Sequence, residues 1–291
     1  MFVARRGLGV RGLLCRIALV RPAWYNEIHE SLCMPSSTSD RRPWTRPQLL
    51  LAFTLYCQIP FSSISNRNPE IIKLASLLDR SASALSWKLA NFAHLDPSLR
   101  SRKIGGASHI AKLDRQIWNE FHNNWDALFA EAEQVRATLA PTSPALTDAA
   151  IPEKLPEGAT RAVLVESRVH QDFFRRAVLT AYRSACCITG LAVPELLIAS
   201  HIIPWAKDES NRTNPRNGLC LNALHDRAFD CGLIAIGEDN RVVLSSRLAT
   251  LSDPASTQLL LQYRNQPLHL PERFVPAPEF LAYHRDHIFQ P

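Results

Sequence analysis

The chain has 291 residues, 46% of them hydrophobic, and this length predicts a globular protein of about two domains. The 33 Lys and Arg residues against 27 Asp and Glu give a net charge of +6, which suits a polyanionic partner without requiring one. No run approaches the roughly eighteen apolar residues of a membrane span. Seven cysteines make no paired framework, so we expect a cytoplasmic protein without membrane contact or disulfides.

Residues 1–40 are predicted to be a leader outside the folded protein. Arginines interrupt their short apolar runs, and the small-residue cleavage pattern of a secretory signal is absent. A second methionine, Met34, directly precedes a stretch of Pro, Ser, Thr and Asp. We therefore expect either a disordered leader or a true start of translation at Met34.

Residues 41–138 are predicted to form a helical domain. Thr45 and Pro47 are typical of a helix start, and apolar residues follow at helical spacing until a break at Pro60. Two short helices come next, joined by a tight turn at residues 79–82 that lacks the usual glycine. This pair is helix-turn-helix-like.

A third helix of the same domain is predicted over residues 114–135. Its aromatic residues share one stripe, which favours a role in the core over a platform for stacking bases. In the preceding helix, Lys88 and Asn91 are expected to face outward and contact phosphates and base edges. The alternative is a helical hairpin whose polar face is only solvated. Basic residues outnumber acidic ones between 41 and 110, so we expect the positive surface here.

Residues 139–160 are rich in Pro, Ala, Thr, Ser and Glu, a composition that predicts a linker between domains free to adjust. The following domain, residues 161–250, opens with a helix that carries Arg175 and Arg176. These arginines could hold phosphates, and a solvated helix face is the alternative. Residues 251–291 are expected to form a helical or irregular extension.

The most informative stretch lies between residues 199 and 230. A predicted strand ends at His201, and a loop and a second short strand lead to a helix that carries His225. In this order, His201 can take a proton from water and Asn217 can brace the loop that aims it. His225 can hold a divalent cation against a phosphate, so the pattern predicts a metal-dependent phosphodiesterase site.

Three blocks carry a resemblance to a known family: Ser-His-Ile at 200–202, Asn-Gly-Leu at 217–219 and His-Asp-Arg-Ala-Phe-Asp at 225–230. They resemble HNH endonuclease domains of the ββα-metal class, in the branch of predicted restriction endonucleases. Residues 44–130 also resemble the helical domain that often precedes such nucleases. The resemblance implies an α+β fold and hydrolysis of DNA phosphodiesters with a divalent metal, first Mg²⁺, with Mn²⁺, Ni²⁺ or Zn²⁺ as alternatives.

The resemblance implies roles for single residues. His201 falls on the general base, Asn217 on the middle asparagine and His225 on the metal-binding position. Many members have Asp or His before the base, where this chain has Ser200, a poor ligand. Either the hydroxyl binds weakly or through water, or a carboxylate, Asp226 or Asp230, substitutes. We count Asp230 as a second metal-binding residue, with a structural role at the helix end as the alternative.

The sequence therefore predicts a DNA endonuclease of restriction or defence. A cutter of both strands needs two active sites or two visits, so a homodimer is an expectation. One alternative is a nuclease directed to DNA structure or damage, in repair or mobile-element biology. The other is a DNA-binding regulator whose HNH fold is catalytically weak or silent.

Overall fold

The computed structural model of the chain describes residues 42–100, 110–139, 161–248 and 250–291. The predicted leader and all but the first residue of the predicted linker lie outside the described residues. The helices are α1 (Arg46–Gln58), α2 (Pro69–Leu77), α3 (Ala82–Leu95), α4 (Pro97–Arg100), α5 (Lys112–Phe121), α6 (Trp125–Leu139), α7 (Arg161–Ala181), α8 (Ala223–Asp230), α9 (Pro254–Leu259) and α10 (Pro278–His287). The strands are β1 (Leu197–His201), β2 (Gly218–Asn222), β3 (Ile234–Ile236) and β4 (Val242–Leu244).

The fold belongs to the α+β class, as predicted. Helices α1 to α6 form the amino-terminal part, and the strands form two antiparallel pairs, β1 with β2 and β3 with β4, in the carboxy-terminal part. Within the described part of the chain, no helix is both long enough and apolar enough to cross a lipid bilayer.

Helix α1 is the centre of the amino-terminal core. It begins after Thr45, whose backbone N–H donates to the Gln48 side chain at 3.3 Å, and it ends where Ile59 becomes extended before Pro60. The predicted bounds of this helix are confirmed. All residues from Leu49 to Cys57 are buried. A helix that is buried on every face must be surrounded, and α3, α5 and α6 surround this one.

The predicted third helix is two helices, so its predicted continuity is wrong. The chain leaves α5 at His122 and re-enters a helix at Trp125, after two asparagines, a residue type that favours helix starts. The rings of Trp118 and Trp125 both pack near Phe53, with centroid distances of 5.3 and 6.2 Å. The aromatic stripe is buried, which confirms its predicted core role.

The turn between α2 and α3 forms without glycine. Asp79 adopts the left-handed conformation with φ of 50°, which Asp tolerates better than most residues. The N–H of Arg80 then donates to the Ala75 carbonyl at 2.9 Å. Ser81 caps the next helix by accepting a hydrogen bond from the Ala84 N–H at 3.1 Å.

Part of the positive charge of the amino-terminal part is neutralised by ion pairs within the chain. Arg46 forms ion pairs with Glu120 at 2.6 Å and with Glu131 at 3.0 Å. The hydrogen bonds that Arg46 donates to both glutamates raise the pKa of its guanidinium. The acidic residues that follow position 110 therefore serve as partners for the basic residues before it, and the predicted positive surface is smaller than the local charge implies.

Lys88 and Asn91 do not present their polar groups to solvent as predicted. The Lys88 ammonium lies 2.9 Å from the carboxylate of Asp114, a residue with no exposed surface. Asn91 is 7% exposed and donates to the same carboxylate at 2.6 Å. A buried carboxylate is costly unless it is paired, so both side chains have a structural reason to point inward.

The two parts of the chain pack directly on each other, although the sequence predicted freedom to adjust between them. On α7, Phe173 lies in the amino-terminal core and Phe174 in the carboxy-terminal core. Arg273 is 1% exposed and donates to the carbonyls of Tyr56 and Ile59 at 2.8 and 2.7 Å. The described residues all belong to one compact unit, residues 40–291.

Candidate active site

The strand pair β1–β2 lies between two helices, α7 on one face and α8 on the other. His201 is the cross-strand partner of Gly218, and a Cβ at Gly218 would come within 2.4 Å of Val178 and 2.9 Å of Phe174. This face of the pair therefore abuts α7 closely. Because side chains alternate along a strand, Ser200 points to the opposite face, towards α8.

The His201 ring is held in a defined orientation. It stacks on Phe174 with centroids 3.7 Å apart, and it meets the Trp205 ring edge-on at 5.6 Å. Its Nε2 lies 3.0 Å from the Arg212 carbonyl oxygen. A carbonyl only accepts, so Nε2 carries the proton and Nδ1 is left with a lone pair in the neutral ring. Burial lowers the pKa of His201, which favours this neutral form.

A cavity of about 250 Å³ opens beside the His201 ring. Arg175 lines it and donates through Nη1 to the Leu197 carbonyl at 2.9 Å. The structure thus brings Arg175 and His201 to the same cavity. The other residues that line the cavity are Gln171, Phe174, Ile198, Ala199 and Trp205.

Arg176 lies on a different surface from Arg175. Its guanidinium forms an ion pair with Glu70 at 3.4 Å, and both side chains are about half exposed. It lines a separate cleft of about 620 Å³ between α7 and the helices of the amino-terminal part. The structure therefore separates two adjacent arginines that the sequence treated as equivalent.

Asn217 braces the loop between β1 and β2. It is 1% exposed, and its Oδ1 accepts a hydrogen bond from the Ile203 N–H at 2.8 Å. Its Nδ2 donates to the carbonyls of Ile203 and Asn211 at 3.2 and 3.3 Å. Both ends of the loop are thereby fixed to one side chain, the geometry that the sequence reading assigned to this residue.

His225 has protein partners at both ring nitrogens. Its Nε2 donates to the Leu259 carbonyl at 2.9 Å, and its Nδ1 accepts from the Asn222 amide at 2.9 Å. It is 2% exposed, and the Tyr263 ring meets it edge-on at 5.2 Å. Both ring nitrogens of this predicted metal-binding residue are therefore engaged by protein atoms, and its ring packs against the carboxy-terminal extension.

Asp226 and Asp230 share a face of α8, because residues four apart are neighbours on a helix. Burial raises the pKa of Asp226, while the Ser200 hydroxyl and Arg227 oppose that rise. Burial, with the charge of Asp226, raises the pKa of Asp230. Burial is the largest cause of both raised pKa values, and the charge of Arg227 opposes both rises.

The Ser200 hydroxyl is the third oxygen of this cluster. Ser200 is 3% exposed, and its Oγ has no well-formed hydrogen bond, although it lies close enough to affect the Asp226 carboxylate. Within the described residues, no group of three or more His, Cys, Asp or Glu side chains could hold a metal ion. Two carboxylates fit Mg²⁺ or Mn²⁺, since Mg²⁺ is usually held by one or two carboxylates with water and substrate phosphates.

The sequence names Asp226 only as an alternative to Ser200, although it lies four residues before Asp230 and hence on the same face of a helix. The sequence does not indicate the contact that Arg212 makes with His201. Arg212 contributes a backbone carbonyl, which any residue type supplies, so no sequence signal could identify it.

Comparison with known protein families bears directly on this region. Residues 186–237 match the model of the HNH endonuclease family. The chain thus contains an HNH endonuclease domain. The matched segment includes β1, β2, α8 and β3, and therefore His201, Asn217 and both aspartates of α8.

Two further comparisons add little to the HNH match. Among solved structures, the chain is similar to one titled "Modification dependent TagI restriction endonuclease", with a TM-score of 0.30 and 20% sequence identity. That similarity covers 40% of this chain and 37% of the other, so the chain spans little more than a third of that protein's length. A comparison with curated proteins gave no match.

Proposed function

We propose that the protein is an endonuclease that hydrolyses DNA phosphodiester bonds with a divalent metal, and that Mg²⁺ is the first candidate. The observation that carries the proposal is the geometry of His201 within the HNH domain. Its Nε2 is held by the Arg212 carbonyl while its Nδ1 stays available as a base. Arg175, a cation suited to phosphate, lines the same cavity.

We propose Asp226 and Asp230 as the metal-binding side chains, in place of His225. The carboxylates lie on one face of α8 beside the Ser200 hydroxyl, whereas both nitrogens of His225 are engaged elsewhere. When bound there, the metal would supply positive charge that stabilises the extra negative charge on the phosphate and the leaving oxygen.

The remaining chemistry needs few side chains. The neutral imidazole of His201 accepts a proton at Nδ1 from the attacking water, whose oxygen forms the new bond to phosphorus. The bond from phosphorus to the leaving 3′ oxygen breaks, that oxygen is protonated from solvent, and His201 later releases its proton to solvent. Asn217 holds in place the loop that orients His201. Arg175 is proposed to hold a phosphate beside the His201 ring.

A role in restriction or defence is part of the proposal, and its support is the likeness of the sequence to predicted restriction endonucleases. A homodimer would place two such sites on one duplex, and it is proposed for that reason. Cleavage assays with methylated and unmethylated DNA would show whether base modification controls the activity.

A plasmid assay tests the proposed function. The full chain should nick or linearise supercoiled DNA with Mg²⁺ or Mn²⁺, and His201→Ala should lower the rate by about 100-fold or more, as expected for loss of a general base. His287→Ala is the matched control. Because His287 is exposed on α10, this variant should cleave DNA at the wild-type rate. Unchanged cleavage by folded His201→Ala would refute the site. Binding of DNA without cleavage by the wild type would favour the silent regulator.

A further inference from the structure

The carboxylate of Asp126 ties the loop that orients His201 to the amino-terminal helices. Thr213 has no exposed surface, and its backbone N–H and its hydroxyl both donate to Oδ1 of Asp126, at 3.2 and 2.5 Å. Asp126 lies in the first turn of α6, 87 residues away in the sequence. A residue of the helical part therefore contacts the loop between β1 and β2, here called the HNH loop.

One peptide group joins this contact to the candidate base. The N–H of Thr213 and the carbonyl of Arg212 belong to the same planar unit, and in a trans peptide they point in opposite directions. The N–H donates to Asp126 and the carbonyl accepts from Nε2 of His201 at 3.0 Å. Fixing the N–H therefore also fixes the direction of the carbonyl.

The same peptide group couples the two ends electrostatically. A carboxylate that accepts from the N–H polarises the peptide and strengthens its carbonyl as an acceptor, as in other chains of hydrogen bonds. A stronger acceptor at Nε2 holds the proton there and keeps the lone pair on Nδ1. The connection is buried, since Thr213 is inaccessible and Asp126 is largely covered by the packing of α6 on the loop.

We propose that Asp126 is a positioning residue for His201, acting through the peptide between Arg212 and Thr213. The helical part would then complete the HNH site instead of serving only to bind DNA. This inference rests on the proposed function, because it assigns Asp126 a task in the same reaction. Asp126 itself is not proposed to touch the substrate.

Kinetics of three variants test the inference. Asp126→Ala removes the acceptor and should lower kcat by about tenfold with little change in KM, because residues that face DNA are untouched. Asp126→Asn keeps an oxygen acceptor and should recover most of kcat. Glu133→Ala is the control on the same helix, since Glu133 pairs with Arg136 away from the loop, and it should cleave plasmid in Mn²⁺ at the wild-type rate.

Nuclear magnetic resonance of ¹⁵N-labelled histidine provides a readout that does not need activity. The His201 signals, assigned by their loss in His201→Ala, should show a proton on Nε2 in the wild type and in Asp126→Asn. In Asp126→Ala they should show a mixture of both tautomers. If the wild type cleaves no DNA, the proposed function fails while this readout still decides the coupling.

A folded Asp126→Ala protein with wild-type kcat and an unchanged tautomer would overturn the inference. If Asp126→Ala does not fold, Thr213→Val decides in its place. It conserves volume, removes the hydroxyl bond to Asp126 and should lower kcat by about threefold. Thr213→Ser keeps the hydroxyl and should restore the rate. If Thr213→Val and Thr213→Ser both cleave with the wild-type kcat, the inference is also overturned.

Discussion

Ser200 and His201 are adjacent, yet they face opposite sides of one strand. His201 meets the aromatic ring of Phe174 on α7, whereas Ser200 lies beside Asp226 on α8. The proposed base on β1 therefore faces α7, whereas the proposed metal-binding side chains belong to α8 on the other side of the strand.

Metal binding should depend on the α8 carboxylates. Asp226→Asn and Asp230→Asn each remove one charged oxygen ligand and should weaken the binding of Mn²⁺ to the full chain by about tenfold or more, measured by titration calorimetry. Asp286→Asn removes an equal charge from an exposed position of α10 and should leave the Kd unchanged. An unaltered Kd in both α8 variants would place the metal elsewhere.

His284 should make the stability of the protein depend on pH. It is 1% exposed, stacks on Phe229 at 3.6 Å, and burial lowers its pKa to about 4. In the unfolded chain His284 binds a proton below about pH 6.5, whereas in the folded chain it stays neutral down to about pH 4. The contribution of neutral His284 to the free energy of unfolding is therefore complete above pH 6.5 and is lost as the pH falls towards 4. The loss at pH 5 relative to pH 7 should be about 2 kcal/mol.

Urea unfolding at pH 7 and pH 5 measures this effect. His284→Leu cannot titrate and should lose less stability between the two pH values than the wild type. His287→Leu, an exposed position on the same helix, should retain the wild-type pH dependence. Identical pH dependence in wild type and His284→Leu would assign the acid sensitivity to other groups.

His201 and Asn217 could be singled out from the sequence because they stand in a motif with short spacing. The structure shows their hydrogen bonds, and their roles in catalysis stay predictions. Sequence reasoning failed where tertiary packing decides, because neither the ion pair of Lys88 with Asp114 nor the contact of His225 with Leu259 can be read from helical periodicity. Asp126 carries no sequence signal for its contact with the distant HNH loop.

At the scale of elements, the close approach of α7 to the strand pair depends on Gly218. Its backbone conformation, with φ of −132°, is open to any residue, so the requirement is one of space. Val178 and Phe174 fill the place that a Cβ would occupy, and Phe174 also supports the His201 ring.

Gly218→Ala should therefore destabilise the protein and disturb the base. Overpacking of this kind costs about 1–3 kcal/mol, so the free energy of unfolding in urea should fall by that amount. Adding Val178→Ala makes room for the new methyl group and should recover part of the loss. If Gly218→Ala alone keeps wild-type stability and cleavage, α7 can move away from the sheet at little cost.

The element boundaries show what periodicity can and cannot predict. Thr45, Pro47 and Pro60 mark α1 by local rules, and the structure follows them. Periodicity does not reveal the break between α5 and α6, because Trp118 and Trp125 are seven residues apart, a spacing that keeps both on one face of a continuous helix. Both indoles pack near Phe53, so the apolar residues keep the spacing of one continuous helix across the break. This spacing conceals the break in the sequence.

At the scale of the whole molecule, the buried guanidinium of Arg273 joins the carboxy-terminal extension to α1. It occupies the carboxyl end of that helix, where the last carbonyls lack partners within the helix. Its guanidinium also lies over the Tyr56 ring at 4.6 Å. The extension is thus part of the fold of both parts.

Arg273→Met should lower the free energy of unfolding by about 3 kcal/mol, because two buried carbonyls lose a charged donor. Urea unfolding followed by circular dichroism measures the change. Arg264→Met, at an exposed position of the same extension, should stay within about 0.5 kcal/mol of the wild type. A small effect at Arg273 would mean that water replaces the guanidinium at the helix end.

The adjacent residues Phe173 and Phe174 give α7 a further significance. The Phe173 ring is buried among the amino-terminal helices and the Phe174 ring among the strands of the HNH domain, so α7 contributes to both hydrophobic cores. Any tilt or rotation of α7 must disturb the packing of both cores at once. Under the proposed function, contact of DNA with either part would be coupled through α7 to the packing of the other.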